Sequence, residues 1–226
     1  MSWGDWIRGG AEIEPSLYGS DLAHLGDEVE VLMDADCRIF HFDVGDGHFI
    51  EPITMGPIVL QAVAPIAHER GGVMDVHLMV ERPAKYFEPV AQAGGDSVTF
   101  HYEAVDDVPA TIAAAHAQGL QAGVAFNPET EPDDVAAVSQ EADVVLCMSI
   151  HPGYSGTPFQ EAAFGRIERL RALLPERVQI QVDGGVGLKN AARLRASGAT
   201  LLVAASSIFA TPDPSAAYRG LVQAIG

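Results

Sequence analysis

Hydrophobic and polar positions divide the chain into short apolar runs and longer segments that carry an apolar stripe on one face. Short apolar runs are typical of buried strands, and striped segments are typical of helices packed on a sheet. The predicted strands span residues 13–17, 37–44, 73–79, 97–102, 120–126, 144–150, 178–182 and 201–205. The predicted helices span residues 20–35, 57–68, 83–93, 108–118, 132–139, 159–174, 188–197 and 214–225. We expect Ser20 to cap the first of these helices and Pro57 to open the second.

Eight successive strand–helix units favour a parallel sheet that closes into a (β/α)8 barrel of the TIM type. An open doubly wound sheet is the alternative fold, although such sheets usually contain fewer strands. Composition does not shift along the chain, so we predict one domain over residues 1–226. Residues 1–10 carry both tryptophans, Trp3 and Trp6. We expect this extra segment to cover the bottom of the barrel or a partner surface.

Charge and cysteine content limit the classes of partner. The chain has 13 basic and 31 acidic residues and a net charge of −18, which argues against nucleic acids and anionic membrane surfaces as partners. We interpret the acidity as a solvated, self-repelling surface of the kind suited to a salty habitat. Residues 1–10 do not resemble a secretory signal, and no apolar run approaches the ~20 residues of a membrane span. Cys37 and Cys147 lie in apolar runs, which predicts buried free thiols and a cytoplasmic protein.

Polar side chains collect where the predicted strands end, which is where such barrels place their active sites. His41 and Asp43 share one side of the second strand, His77 ends the third and Asp183 ends the seventh. An isolated His-x-Asp pair would more often belong to a half-buried strand, and a lone histidine to a core. Two imidazoles and two carboxylates at the same end of three strands instead predict a site for one divalent metal ion.

The sequence resembles the ribulose-phosphate 3-epimerase family of phosphate-binding barrels. The resemblance runs in order over nearly the whole chain, from about residue 13 to residue 225. The motifs that carry the resemblance are residues 15–17 (PSL), 41–49 (HFDVGDGHF), 53–57 (ITMGP), 75–80 (DVHLMV), 152–156 (PGYSG), 182–185 (VDGG) and 203–209 (VAASSIF). Each motif alone would be a weak signal, but together they are specific. The resemblance implies a 3-epimerase that interconverts ketose phosphates, with D-ribulose 5-phosphate and D-xylulose 5-phosphate as the favoured pair.

The resemblance also implies a role for individual residues. His41, Asp43, His77 and Asp183 would hold the metal, and the two aspartates would also exchange protons with the substrate from opposite faces. The residues expected to contact the sugar phosphate are Ser16, Met79, Met148, Gly153, Ser155, Gly156, Gly184, Gly185, Ala205 and Ser206. Among these, Ser16 would meet sugar oxygens and the methionines would form an apolar floor. The glycines, with the backbone near Ser206, would hold the phosphate.

Elementary chemistry supports this assignment. Epimerisation beside a ketone removes a weakly acidic proton and returns one on the other face of an enediolate. A divalent cation raises the acidity of that carbon, and two carboxylates on opposite walls supply the acid and the base. Few basic residues lie near the last loops, so backbone N–H groups are expected to bind most of the phosphate.

Several positions depart from the family pattern and leave the identity of the ketose phosphate open. Gly45 stands where methionine is usual, and we expect the missing methionine side chain to enlarge the pocket. Glu14 stands where a small residue is usual, and it could hydrogen-bond an additional hydroxyl of the substrate. The other departures are His151, Ser155, Thr157 and Ala205.

Three alternatives stay open: an epimerase for a hexulose or tetrulose phosphate, a related sugar-phosphate decarboxylase or aldolase, and a barrel that binds phosphate without catalysis. An aldolase or decarboxylase would normally need a lysine on an inner strand, and neither Lys85 nor Lys189 lies on one. A non-catalytic barrel would tolerate loss of the two aspartates, which are present. The metal could be zinc, iron(II), manganese or cobalt, and the family resemblance implies a homo-oligomer, either a dimer or a hexamer.

Overall fold

The computed structural model describes residues 2–153 and 157–226. Eight parallel strands form one sheet within these residues, in the order β1-β8-β7-β6-β5-β4-β3-β2. The strands are β1 Glu12–Pro15, β2 Ile39–Gly45, β3 Val73–Met79, β4 Ser97–His101, β5 Gln121–Phe126, β6 Val144–Met148, β7 Gln179–Asp183 and β8 Leu201–Ala204. A parallel bridge between Ser16 and His41 joins β1 to β2 and nearly closes the barrel. The predicted (β/α)8 barrel is confirmed.

Helices alternate with these strands, and those that follow β1 cover the outside of the barrel. They are α1 Trp3–Trp6, α2 Leu25–Asp34, α3 Pro57–His68, α4 Ala84–Gln92, α5 Val108–His116, α6 Pro132–Val138, α7 Ala162–Leu173, α8 Ala191–Ala196, α9 Ser206–Phe209 and α10 Pro214–Ile225. The main core lies between the strands and these helices, and every residue of β2 and β3 is buried. No helix within residues 2–153 and 157–226 has both the length and the apolar character needed to cross a membrane.

The first helix after β1 begins later than the sequence pattern predicts. Ser20 was expected to cap a helix over residues 20–35, but its hydroxyl donates to the carbonyl of Leu17. The Asp21 side chain accepts from the N–H of Ala23 and starts a 3₁₀ turn, and α2 begins only at Leu25. Local side-chain hydrogen bonds therefore replace the predicted first turn of the helix.

Trp3 and Trp6 lie against the lower end of the barrel. They form a buried cluster with Ile39, Val73, Val144 and Leu201, each of which is at or near the start of its strand. The two indole rings meet edge to face, with their centroids 4.9 Å apart. The opening segment thus covers the end of the barrel opposite the loops that follow the strands.

Candidate metal and substrate site

The polar residues that the sequence singled out meet at the upper end of the barrel. His41 and Asp43 lie on β2, His77 on β3, and Asp183 is the last residue of β7. One potential ligand atom from each of these four side chains lies within 4.8 Å of every other. The structure therefore brings together all four residues expected to hold a metal.

Distances within this cluster show how the donor atoms face each other. Asp43 Oδ1 lies 3.4 Å from His41 Nε2 and 3.2 Å from His77 Nδ1. Asp183 Oδ2 lies 3.9 Å from His77 Nδ1. Ser16 donates its hydroxyl to the other Asp43 oxygen over 2.6 Å. One nitrogen of each imidazole thus points toward the two carboxylates.

The other nitrogen of His41 is held by a buried carboxylate that the sequence analysis did not assign. His41 Nδ1 lies 2.9 Å from Asp75 Oδ2, and Asp75 also accepts from Ser97 Oγ at 2.5 Å and from Gln181 Nε2 at 2.7 Å. Because a carboxylate only accepts, His41 carries a proton on Nδ1, which leaves Nε2 as the nitrogen that could bind a metal ion. Asp75 shares one side of β3 with His77, and that alternation was a signal that could have found it.

His77 has an outer partner of a different kind. Its Nε2 lies 2.9 Å from Nε2 of the fully buried His101, whose Nδ1 lies 3.3 Å from Glu103 Oε2. Burial lowers the pKa of His101 to about 4, so this ring is neutral near pH 7. Although burial opposes it, hydrogen bonds from His101, Thr130 and Asn127 lower the pKa of Glu103 to about 2.

The two aspartates of the cluster have pKa values displaced in opposite directions. Burial works against ionisation of Asp43, but the imidazoles of His41 and His77 outweigh it and hold the pKa of Asp43 well below its usual range. Burial and the neighbouring charge of Asp43 raise the pKa of Asp183. Opposed displacements of this kind are typical of a paired base and acid.

The donor set fits a divalent cation. His41 Nε2 is buried and has no hydrogen-bond partner among the described residues, although it points at the two carboxylates. Despite burial, Asp43 and the neighbouring carboxylates raise the pKa of His41 well above its usual value, because they favour a positive charge next to them. Two imidazoles and two carboxylates suit zinc, iron(II), manganese or cobalt.

A cavity opens directly beside this cluster. Its lining includes both aspartates and most of the side chains and glycines expected to bind the substrate, namely Ser16, Met79, Met148, Gly153, Gly184, Gly185, Ala205 and Ser206. The two remaining candidates, Ser155 and Gly156, lie outside the described residues. Tyr18, Ile150 and Val186 also line the cavity, and no motif had pointed to them.

Two glycines after β7 allow the backbone to approach this cavity closely. Gly184 has a φ of 110° and Gly185 a φ of 61°, in the left-handed region that side chains disfavour. A Cβ on Gly184 would come within 2.4 Å of Ile150 Cγ1, and one on Gly185 within 2.9 Å of the Phe159 nitrogen. This turn therefore requires glycine at both positions.

Comparisons with known proteins show the family of the chain. The sequence matches the ribulose-phosphate 3 epimerase family over residues 12–209. The chain belongs to this family. Ribulose-phosphate 3-epimerase from Bacillus subtilis (strain 168) is 35% identical over 206 residues, which cover 89% of this chain and 94% of that protein. The enzyme of the same name from Escherichia coli (strain K12) is 35% identical over 210 residues, which cover 89% and 90%. The protein is thus an isomerase, an epimerase that acts on carbohydrates.

The solved structures extend the likeness in fold. The structure of 3-hexulose-6-phosphate synthase from Salmonella typhimurium superimposes with a TM-score of 0.72 at 17% identity, and covers 95% of this chain and 98% of that one. At this level of identity the likeness shows the barrel architecture alone.

One departure from the family pattern has a different consequence from the one expected. The absence of a side chain at Gly45 was expected to enlarge the pocket, but Gly45 does not line the cavity. A Cβ there would lie 2.6 Å from Ile50 Cδ1 and 3.0 Å from the carbonyl oxygen of Pro52. Ile50 also packs against Gly153, which does line the cavity. Ile50 therefore fills the space, and the prediction of an enlarged pocket is wrong.

Glu14 is also not positioned to touch the sugar. It is fully buried, two residues before Ser16 in the chain, and does not line the cavity. Its Oε2 accepts from Gln181 Nε2 at 2.5 Å and lies 3.7 Å from His41 Nδ1. Burial raises the pKa of Glu14 to about 7, and the charge of Asp75 adds to this. The expectation that Glu14 binds a substrate hydroxyl is therefore wrong, because the residue lies beneath the metal cluster.

Two further departures lie on the cavity itself. His151 lines it at the surface, with its Nε2 3.0 Å from Glu129 Oε1. Ala205 lines it immediately before α9, so its methyl group adds to the wall there. Among the departures that lie within the described residues, these two, rather than Gly45 or Glu14, line the substrate cavity.

Proposed function

We propose that the protein interconverts D-ribulose 5-phosphate and D-xylulose 5-phosphate by moving a proton at C3 between Asp43 and Asp183. The observation that carries the proposal is a pair of aspartates on one cavity, Asp43 buried and Asp183 half-buried, with pKa values displaced in opposite directions. The names of the relatives support this substrate pair. Lys85 lies in α4 and Lys189 between β7 and α8, so no strand carries the lysine that an aldolase would use.

The position of the two aspartates suits proton transfer on both faces of the substrate. Asp43 belongs to β2 and Asp183 to β7, which are separated in the nearly closed barrel by β1 and β8. Asp43, with its lowered pKa, is the ionised group that accepts the C3 proton. Asp183, with its raised pKa, is the group that donates a proton to the other face. The roles exchange in the reverse reaction.

His41, Asp43, His77 and Asp183 would hold one divalent cation. When bound there, the cation would polarise the ketone of the substrate and so make the C3 proton easier to remove. Asp75 keeps His41 Nε2 directed at this position, and Ser16 orients the Asp43 carboxylate. Buried Met79 and Met148 exclude water and offer no competing protons.

The phosphate of the substrate would bind at the turn after β7 and the start of the segment after β8. Gly184 and Gly185 keep the backbone bare on the cavity side, and Ala205 and Ser206 face the same cavity. In barrels of this type, backbone N–H groups in these two loops commonly hold a phosphate. Ser155 and Gly156 were also predicted to contribute, and their role remains a prediction.

Two broader properties are part of the proposal. Cys37 and Cys147 are free and buried, which supports a location in the reducing cytoplasm. The homo-oligomer, a dimer or a hexamer, stays a prediction that light scattering can test. Exposed Ile53 and Ile58, at 82% and 81% exposure, are apolar residues that contacts between copies would cover.

Solvent exchange into a panel of ketose phosphates tests the proposal. Purified protein is incubated in deuterated water with pentulose, hexulose and tetrulose phosphates, and deuterium at C3 is measured beside elemental analysis of the protein. We expect deuterium at C3 of the pentulose phosphates, together with about one divalent ion per chain. Faster exchange into a hexulose or tetrulose phosphate would replace the proposed substrate, and full activity in metal-free protein would refute the metal site.

A further inference from the structure

A hydroxyl group from a neighbouring segment holds the backbone of each cavity aspartate. Thr54 Oγ1 donates to the carbonyl oxygen of Asp43 at 2.8 Å, and Ser149 Oγ donates to the carbonyl oxygen of Asp183 at 2.9 Å. Neither hydroxyl belongs to the strand that carries the aspartate, because Thr54 lies after β2 and Ser149 after β6. Neither residue lines the cavity. Each hydroxyl therefore acts on the backbone of an aspartate and not on the substrate.

Thr54 takes the place of a strand partner at the end of β2. A bridge between Ser16 and His41 joins β1 to β2, and Asp43 lies two residues beyond it. There the Thr54 hydroxyl accepts from the N–H of Gly45 at 2.6 Å while it donates to Asp43. The Thr54 N–H in turn donates to the Gly45 carbonyl at 3.2 Å. One residue thus satisfies the backbone polar groups of β2 past the end of β1.

Ser149 holds the turn that follows β7 in the same way. It is fully buried, and its hydroxyl also lies within hydrogen-bond distance of the carbonyl oxygen of Gly184. Its N–H donates to the Asp183 carbonyl at 2.8 Å, which extends the pairing of β6 with β7 by one residue. Its own carbonyl accepts from the N–H of Gln160, in the segment before α7. Asp183 and the first glycine of the turn therefore share one anchor.

Proton transfer to carbon depends strongly on the distance and direction of the carboxylate. A displacement of about 1 Å can slow such a step about 100-fold. The side chain of an aspartate is short, so movement of its backbone carries the carboxylate with it. We infer that Thr54 and Ser149 are positioning residues, each of which fixes one aspartate against its own face of the substrate. The inference rests on the proposed exchange of protons by Asp43 and Asp183.

The two hydroxyls should control different steps of one reaction. Epimerisation in either direction consists of one proton transfer at Asp43 and one at Asp183, and the slower of them limits the rate. Loss of the Thr54 hydroxyl should slow the transfer at Asp43. Loss of the Ser149 hydroxyl should slow the transfer at Asp183. A residue with only a structural role would slow both transfers alike.

Thr54→Val and Ser149→Ala each remove one hydroxyl with little change of shape. Their matched controls are Thr111→Val and Ser215→Ala, which remove hydroxyl-to-carbonyl hydrogen bonds made by α5 and α10. We expect kcat to fall about 10- to 100-fold in the first two variants, with KM changed less than about 3-fold, and wild-type values in the controls. Thr54→Ser keeps the hydroxyl and should restore most of kcat.

Deuterium isotope effects on kcat/KM separate the two steps. They are measured with ribulose 5-phosphate and xylulose 5-phosphate deuterated at C3, since each epimer loses its C3 proton to a different aspartate. In Thr54→Val the isotope effect should increase for the epimer that Asp43 deprotonates and decrease for the other. Ser149→Ala should show the opposite pattern. An unchanged ratio of the two isotope effects, or the same change in both variants, would overturn the inference.

Amide hydrogen exchange tests the two contacts without turnover. The N–H of Gly45 in Thr54→Val, and that of residue 149 in Ser149→Ala, should exchange faster than in wild type, whereas the amides of β4 should not change. Normal protection of both amides would also overturn the inference. If Ser149→Ala does not fold, Ser149→Cys, which keeps the shape with a weaker donor, replaces it. If wild-type protein epimerised no ketose phosphate, the proposed function would fail, and exchange at these amides would still decide whether the two hydroxyls hold the backbone.

Discussion

Substitution of Gly45 by methionine should destabilise the protein rather than reshape its substrate cavity. The new Cβ would lie 2.6 Å from Ile50 Cδ1, closer than a real Cβ tolerates, and 3.0 Å from the Pro52 carbonyl oxygen, which is also a tight contact. Ile50 cannot simply turn away, because it is branched at Cβ and already packs against Gly153. The methionine and Ile50 therefore compete for the same space.

The expected magnitude follows from the overpacking of a filled site. Inserting a side chain into such a site costs about 1–3 kcal/mol, which corresponds to about 2–4 °C in Tm for each kcal/mol in a chain of this size. Ile50 is 6% exposed, and Ile50→Ala alone should cost about 2–5 kcal/mol. In the double variant the methionine occupies the space that Ile50 leaves. The double variant should therefore lose less stability than the sum of the two single losses, by about 1 kcal/mol or more.

Urea unfolding of wild-type protein, both single variants and the double variant measures this coupling. The kcat/KM of each protein on a pentulose and a hexulose phosphate should fall by similar factors for both sugars, because Gly45 does not line the cavity. Additive losses of stability would show that the two side chains do not share a space. A selective loss on the hexulose phosphate would show that position 45 does contact the substrate.

Four further predictions concern the site and the surface. Asp43→Asn and Asp183→Asn should each reduce epimerisation by about 10²–10⁴-fold without lowering Tm by more than a few degrees, and near-normal turnover of either would remove that residue from proton transfer. Asp75→Asn should weaken Zn²⁺ binding about 10-fold, because His41 loses the charge that polarises it; unchanged affinity in chelator competition would contradict this. Glu14→Ala should change kcat/KM by the same factor on every ketose phosphate, and discrimination between sugars would place it in the cavity after all. The urea midpoint should rise between about 0.1 and 1 M NaCl, as salt screens the net charge of −18, whereas a flat midpoint would show that surface repulsion is unimportant.

The barrel and its strand ends could be predicted from the sequence because their signals are local. The predicted bounds of β3, α3 and α10 agree with the structure, and Pro57 and Pro214 mark the two helix starts. Prediction failed where a side chain offered the backbone another partner. At Ser20 and Asp21 the choice between a helix and a 3₁₀ turn depends on single hydrogen bonds that periodicity does not encode.

The metal cluster was accessible to sequence reasoning because period-two alternation gives the side of a strand on which each residue lies. Its outer partners were less accessible, since Asp75 and His101 act across strands and require the register to be known. Glu103 depends on a contact with the loop after β5, and the sequence has no local signal for that contact.

Glu14 shows what alternation leaves undetermined. Period two correctly puts Glu14 and Ser16 on the inner side of the barrel, but it does not say how far each lies from the mouth. Ser16 reaches Asp43, whereas Glu14 meets Gln181 and lies near His41 Nδ1 on the side away from the cavity. A side chain two positions earlier in a strand is about 7 Å further from the mouth. This is more than the length of the hydrogen bond that Glu14 was expected to make with a substrate hydroxyl. Inward-facing polar residues in a barrel therefore belong to two groups, those that touch the substrate and those that hold the first group in place, and depth along the strand separates them.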